Sequence, residues 1–168
     1  EPWLHLYTSE EISAEIGRAE EAIFDATGVM PRGFRGPGFS LSSQVLEELA
    51  KRGYQYDCST FPTFLGPLAR LYYFCTAKLS HEQKEERKQL FGKMRDGFMP
   101  LKPYIWSTAS GPIVEIPVTT MPIFKVPIHA SYILYLANYS SFMAMTYWRM
   151  ALGLCRFFRV EPSLLLHP

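Results

Sequence analysis

Five side chains in this sequence are of types that do chemistry and stand where short apolar segments end. The octapeptide Gly33-Phe34-Arg35-Gly36-Pro37-Gly38-Phe39-Ser40 holds one guanidinium inside a glycine-punctuated turn. The glycines around Arg35 give backbone freedom and Pro37 fixes one φ angle, so the guanidinium can be aimed at a carboxylate or an anion. The alternative is a surface turn whose arginine is solvated. Asp57 follows in Tyr54-Gln55-Tyr56-Asp57-Cys58-Ser59, and Glu115 interrupts the near-continuous apolar run at residues 113–118. An ionised carboxylate is costly to bury unpaired, so Glu115 either faces solvent at a sheet edge or meets a cation such as Arg35. His129 either lines a pocket or caps the next helix. His167 closes the last apolar segment of the chain.

The elements that position these residues can be read from spacing. Thr8-Ser9-Glu10-Glu11 has the spacing of a capping box, and Ile12, Ile16, Ala19, Ile23 and Ala26 recur at helical intervals up to Gly28. Glu10, Glu11, Glu15, Glu20 and Glu21 fall mainly on its wet face. Residues 29–34 then run extended into the arginine turn. Ser42 or Ser43 can cap a second helix with Val45, Leu46, Leu49 and Ala50 on its apolar side and Gly53 as its stop. A short strand follows at residues 54–59. Strand, helix and strand joined by tight turns predict an α/β fold with a parallel sheet or barrel. Chemistry in such folds gathers at the carboxyl ends of the strands, where Arg35 and Asp57 both fall.

Further on, residues 65–79 read as an apolar, aromatic-rich helix, and Ser80 with Gln83 can cap a charged, exposed helix carrying His81. Tyr104-Ile105-Trp106 reads as a loop or edge strand that packs on the core or presents aromatics to a sugar ring. Residues 131–158 are largely apolar, but Asn138, Ser140, Ser141, Thr146 and Arg149 interrupt them. That pattern suits a helix lying on the outside of an α/β barrel better than a membrane span.

Composition narrows the classes. With 168 residues, 48% of them hydrophobic, one buried core and one domain spanning residues 1–168 are expected. The net charge is +1 with acids and bases interleaved, which gives no footprint for nucleic acid. Cys58, Cys75 and Cys155 are widely spaced and fit buried thiols, with a lean towards the cytoplasm. There is no targeting segment, and both ends of the sequence look like cuts through a longer domain.

Taken together, Gly33-Phe34-Arg35-Gly36-Pro37-Gly38-Phe39-Ser40 and Gly53-Tyr54-x-Tyr56-Asp57-x-Ser59-x-x-Pro62 resemble the middle of polysaccharide deacetylases, the carbohydrate esterases with the NodB-homology fold. The ending Leu165-Leu166-His167 is similar to that family's closing Leu-x-His motif. The resemblance implies a distorted (β/α) barrel with long outer helices and metal-dependent hydrolysis of N-acetyl groups on an amino sugar or polysaccharide. Under it, zinc or another divalent metal serves the complete domain, Arg35 tunes the catalytic base, and His167 is the general acid. Pro37, Gly38, Asp57, Glu115 and His129 would line the substrate site or support it.

The departures are equally specific. An early Asp-Asp motif and a His-x-x-x-His metal pair are missing from the sequence, so the resemblance implies a C-terminal portion that holds no metal ligands and is inactive by itself. Two other readings remain at this point: a degenerate domain that binds saccharide without turnover, and a membrane-attached interaction module using residues 131–158.

Overall fold

The computed structural model describes residues 4–64 and 94–164 of the chain. Within them the chain forms two compact units, each built from two stretches of sequence.

The first unit comprises Glu1–Thr60 and Pro103–Ile116. Its helix α1, Ser9–Thr27, starts with the expected capping box: Thr8 N donates to Glu11 Oε2 (2.8 Å) and Glu11 N donates to Thr8 Oγ1 (3.3 Å). It stops at Gly28, whose left-handed φ of 69° lets its N–H reach the Phe24 carbonyl. Helix α2, Ser43–Lys51, is capped by Ser42, which accepts from Val45 N at 3.2 Å. Ile12, Ile16, Val45, Leu49 and Ile113 are sealed in one cluster with Leu4, Leu46 and Tyr54. Each large aliphatic side chain buried there contributes about 2 kcal/mol.

Arg52 bolts the two helices together. Its Nε donates to Glu48 Oε1 (2.7 Å), its Nη2 to the Ser13 carbonyl (2.9 Å) and Ser13 Oγ (2.8 Å), and its Nη1 to Glu20. Glu20 is consequently buried, which corrects its placement on the wet face of α1. The spacing within α1 put it there, and the partner that draws it inwards comes from 32 residues further on.

The sheet of this unit has the order β1-β2-β4-β3, from strands β1 (Gly33–Phe34), β2 (Tyr56–Asp57), β3 (Tyr104–Thr108) and β4 (Gly111–Glu115). β1, β2 and β4 run parallel, and β3 pairs antiparallel with β4. The expected α/β class with parallel strands is present. The expected barrel is not: among the described residues the sheet is open, with β1 and β3 at its edges. The physical reason is the tight β3–β4 hairpin, which ends the parallel series by folding back on itself. Glu47 on α2 holds that hairpin, accepting from Ala109 N (2.9 Å) and from the Ser110 hydroxyl.

The second unit comprises Phe61–Lys102 and Pro117–Pro168. The single crossing helix expected at residues 131–158 is two helices, α3 (Ala130–Tyr139) and α4 (Ser141–Phe157). Ser140 breaks them with an extended backbone, and its hydroxyl caps α4 by accepting from Met143 N. Met121, Ile128, Ala151, Cys155 and Val160 form the buried cluster of this unit. Among the described residues no helix is long and apolar enough to cross a membrane. The helices expected at residues 65–79 and from Ser80 onwards, with His81, lie outside the described residues.

Candidate functional site

Because β1, β2 and β4 are parallel, their carboxyl ends lie on one side of the sheet. Arg35 and Gly36 follow β1, Asp57 ends β2, and Glu115 ends β4 directly opposite Asp57 in the strand register. Both carboxyl side chains are fully buried, at 0% exposure. Among the described residues no cation pairs with either of them. Glu115 therefore takes neither of the partners expected for it. Its neighbour is another carboxyl group.

The hydrogen bonds around the pair define its orientation. Asp57 Oδ2 accepts from Ser59 N (3.1 Å) and Asp57 Oδ1 from Ser59 Oγ (2.7 Å). Glu115 Oε1 accepts from Thr60 N (2.9 Å) and Glu115 Oε2 from the indole Nε1 of Trp106 (2.9 Å). Asp57 and Glu115 stand opposite each other on β2 and β4, and a hydrogen bond with Asp57 is among the effects that raise Glu115. Such a bond between two acids requires a proton on one of them. Burial, the hydrogen bond to Asp57 and the charge of Asp57 push Glu115 up to about 7, against the lowering effect of the Trp106 and Thr60 donors.

The consequence for stability follows from linkage. The native state binds a proton that the unfolded chain releases above the ordinary carboxylate value of 4.5, so this group makes the fold less stable as pH rises from there through about 7. We expect urea midpoints of the wild-type protein to fall across that window. The contribution of this one group is at most roughly 1.4 kcal/mol per pH unit, and Glu115→Gln removes it. An unaltered pH slope in that variant would place the buried proton elsewhere.

Backbone detail ties the arginine turn to this pair. Gly36 N donates to Ser59 Oγ (2.8 Å), so the Ser59 hydroxyl accepts from the turn and donates to Asp57. Gly36 has a physical reason to be glycine: a Cβ added there would lie 2.0 Å from the Ser40 carbonyl oxygen. Pro37 opens the short 3-10 turn Pro37–Phe39, and Gly38 takes a φ of 57° within it. Both are exposed, and they shape the turn. Arg35 is exposed as well, with Nε 3.4 Å from the Cys58 carbonyl, a weak bond to an uncharged acceptor.

Tyr104 and Trp106 complete the surroundings. They alternate along β3, so both face the Glu115 side of the sheet, with Tyr104 opposite Glu115 in register and the two rings 5.1 Å apart edge to face. The Tyr104 hydroxyl bonds Thr60 Oγ1 at 3.1 Å, and burial, reinforced by the two nearby carboxyls, pushes it up to about 12. Burial likewise raises the Cys58 thiol, against the lowering effect of Arg35.

Of the residues singled out from sequence, Arg35, Asp57 and Glu115 meet at this end of the sheet. His129 belongs to the second unit, where it is buried at the start of α3 with its ring against Phe61 (4.9 Å) and Tyr132 (5.6 Å). His167 lies outside the described residues. Ser59 and Thr60 were missed as site residues, and Trp106, read as core packing or a platform for a sugar ring, was missed as a hydrogen-bond donor to Glu115. A serine two positions after an aspartate is the available signal for Ser59, since it marks a side-chain turn closing on the backbone. Nothing local marks Thr60, whose contribution is a main-chain N–H. A large open groove, about 840 Å³, runs along α1 past Ser13, Gly17 and Arg52, but contains none of these groups, and its Glu20 and Arg52 are paired with each other. Among the described residues no three His, Cys, Asp or Glu side chains are grouped to hold a metal ion.

Comparison with known proteins corrects the family reading. The family model described as Glycosyl hydrolase family 57 matches residues 1–79, just under half of the chain. The matched segment contains α1, α2 and both motifs, at residues 33–40 and 53–62, on which the resemblance to polysaccharide deacetylases mainly rested, while the ending Leu165-Leu166-His167 lies beyond it. A strand, a glycine turn, a helix and a second strand are a general α/β pattern and do not by themselves select one hydrolytic chemistry. The expectation of metal-dependent N-deacetylation, with zinc polarising an amide, is withdrawn on this ground. No curated protein and no solved structure matches the chain. The matched family is one of hydrolases that act on glycosidic bonds, and β3 and β4, with Trp106 and Glu115, lie beyond the matched residues.

Proposed function

We propose that this chain contributes the proton-donating part of a site that hydrolyses glycosidic bonds in a saccharide. The observation that carries the reading is the pair of fully buried carboxyls, Asp57 and Glu115, opposite each other at the carboxyl end of a sheet whose first two strands fall within the glycosyl hydrolase match. Cleaving a glycosidic bond requires an acid that protonates the leaving oxygen while positive charge develops on the sugar ring. A carboxyl group raised from 4.5 to about 7 is still partly protonated at neutral pH and can serve as that acid.

Spacing sets a limit on the roles. Glycosidases flank the bond with two carboxyls roughly 5–9.5 Å apart with the sugar between them, whereas Asp57 and Glu115 are buried side by side on adjacent strands, with no room for a sugar between them. The pair therefore acts as one proton store on one side of the bond, and the nucleophile or base on the other side is a different residue. The exposed Arg35, in the turn from Gly33 to Ser40 at the same end of the sheet, is the group placed to meet the saccharide.

The test uses the intact protein and a panel of N-acetylated and unacetylated oligosaccharides, with new reducing ends and free acetate measured in parallel. The expected result is reducing ends without acetate. Acetate release with the sugar chain left whole would overturn the proposal.

A further inference from the structure

We propose that Trp106 is a positioning residue for the Asp57–Glu115 pair: its indole N–H fixes the Glu115 carboxyl so that the proton lies between the two acids, and sets the pH at which it is released.

The argument is one of donors and acceptors. Both Glu115 oxygens accept from groups that can only donate, Thr60 N at 2.9 Å and Trp106 Nε1 at 2.9 Å. A proton carried by Glu115 cannot point at either of them, and the acceptor facing it across the β2–β4 register is Asp57. Both Asp57 oxygens also accept, from Ser59 N and Ser59 Oγ, and the Ser59 hydroxyl is itself oriented by the N–H of Gly36. Every donor to the two carboxyls thus has a fixed direction, and the proton they share is the one that either acid can carry. The indole is the one donor to Glu115 supplied by a side chain, so it is the one that substitution can remove.

The other groups facing the pair do not perform this task. Tyr104 from β3 bonds Thr60 Oγ1 and not a carboxyl oxygen. Arg35, beyond the end of β1, directs its Nε to the Cys58 carbonyl, and Cys58 is a half-buried thiol beside the pair. An N–H donor aimed at a carboxylate favours the ionised form, so Trp106 opposes the effect of burial on Glu115. Its ring also packs against the cluster formed by Ile113 and Leu49, which keeps the donor in place.

The role in catalysis rests on the glycosidase reading, but the titration does not, and the experiment separates them. Trp106→Phe keeps an aromatic ring on the core and deletes the N–H; a second variant carrying the benzothiophene isostere of tryptophan keeps the full shape. In each, the infrared band of the protonated carboxylic acid is expected to persist to a pH about one unit higher than in the wild type, and the pH dependence of the urea midpoint to move with it. In a Glu115→Gln background the same changes are expected to leave the pH dependence as it is in Glu115→Gln alone. The proposal is overturned by an unmoved titration, by an equal shift in the Glu115→Gln background, or by a wild-type protein without a protonated-acid band at neutral pH. If the shift appears and no saccharide is cleaved, the glycosidase reading fails and the positioning role stands.

Discussion

Asp57→Ala is expected to lower the unfolding free energy by about 3 kcal/mol near pH 6 and to abolish saccharide cleavage. The carboxyl is sealed at 0% exposure, and its removal leaves the N–H and hydroxyl of Ser59 without acceptors in a region where water cannot replace them. The loss extends to the arginine turn, because the Ser59 hydroxyl that Asp57 orients is the acceptor for Gly36 N. An opposing effect gives the prediction its signature. As pH rises through about 7 Glu115 ionises against the charge of Asp57, so deleting Asp57 relieves a repulsion that is absent at pH 6. The cost of Asp57→Ala should accordingly shrink as pH rises to 9, and urea denaturation at the two pH values measures it. A cost that is the same at both would mean that the two carboxyls do not share a proton.

Gly36→Ala is expected to cost at least about 3 kcal/mol for a different reason. Gly36 has φ −63° and ψ 138°, an ordinary extended conformation open to any residue, so the penalty is not conformational. It is steric. The added methyl would lie 2.0 Å from the Ser40 carbonyl oxygen and 3.0 Å from its carbon, and both are backbone atoms that cannot rotate away. The turn must open, and opening it pulls Gly36 N from Ser59 Oγ. Thermal unfolding and activity should both report the change. A variant with wild-type melting temperature would show that the turn is not held closed in this way.

The contrast between these two positions shows what the sequence makes legible. Helices α1 and α2 could be read almost to the residue, because capping hydroxyls at Thr8 and Ser42, apolar spacing and the stop glycines Gly28 and Gly53 are local signals. That Arg35 and Asp57 belong to one end of a parallel sheet also followed from the order of elements. The partner of Glu115 did not. A carboxylate in an apolar strand asks for a cation by elementary electrostatics, and the alternative of a second acid sharing a proton depends on the β2–β4 register, which no local pattern encodes. The same limit explains Glu20, drawn inwards by Arg52, and the break at Ser140, where one serine divides what periodicity presents as a single apolar helix. The family reading failed for another reason. Glycine turns report backbone geometry, and that geometry serves more than one kind of carbohydrate hydrolase.

What distinguishes a glycosidic acid from a buried structural pair is whether the proton is used. The most direct measurement is turnover of a cleavable oligosaccharide by the intact protein and by Glu115→Gln, which keeps the shape of the side chain and removes the titrating group. The account predicts that kcat falls at least about 100-fold while the variant remains folded, and that a substrate with a good leaving group, needing no protonation, recovers much of the loss. Equal kcat values for the two proteins on the ordinary substrate would contradict it.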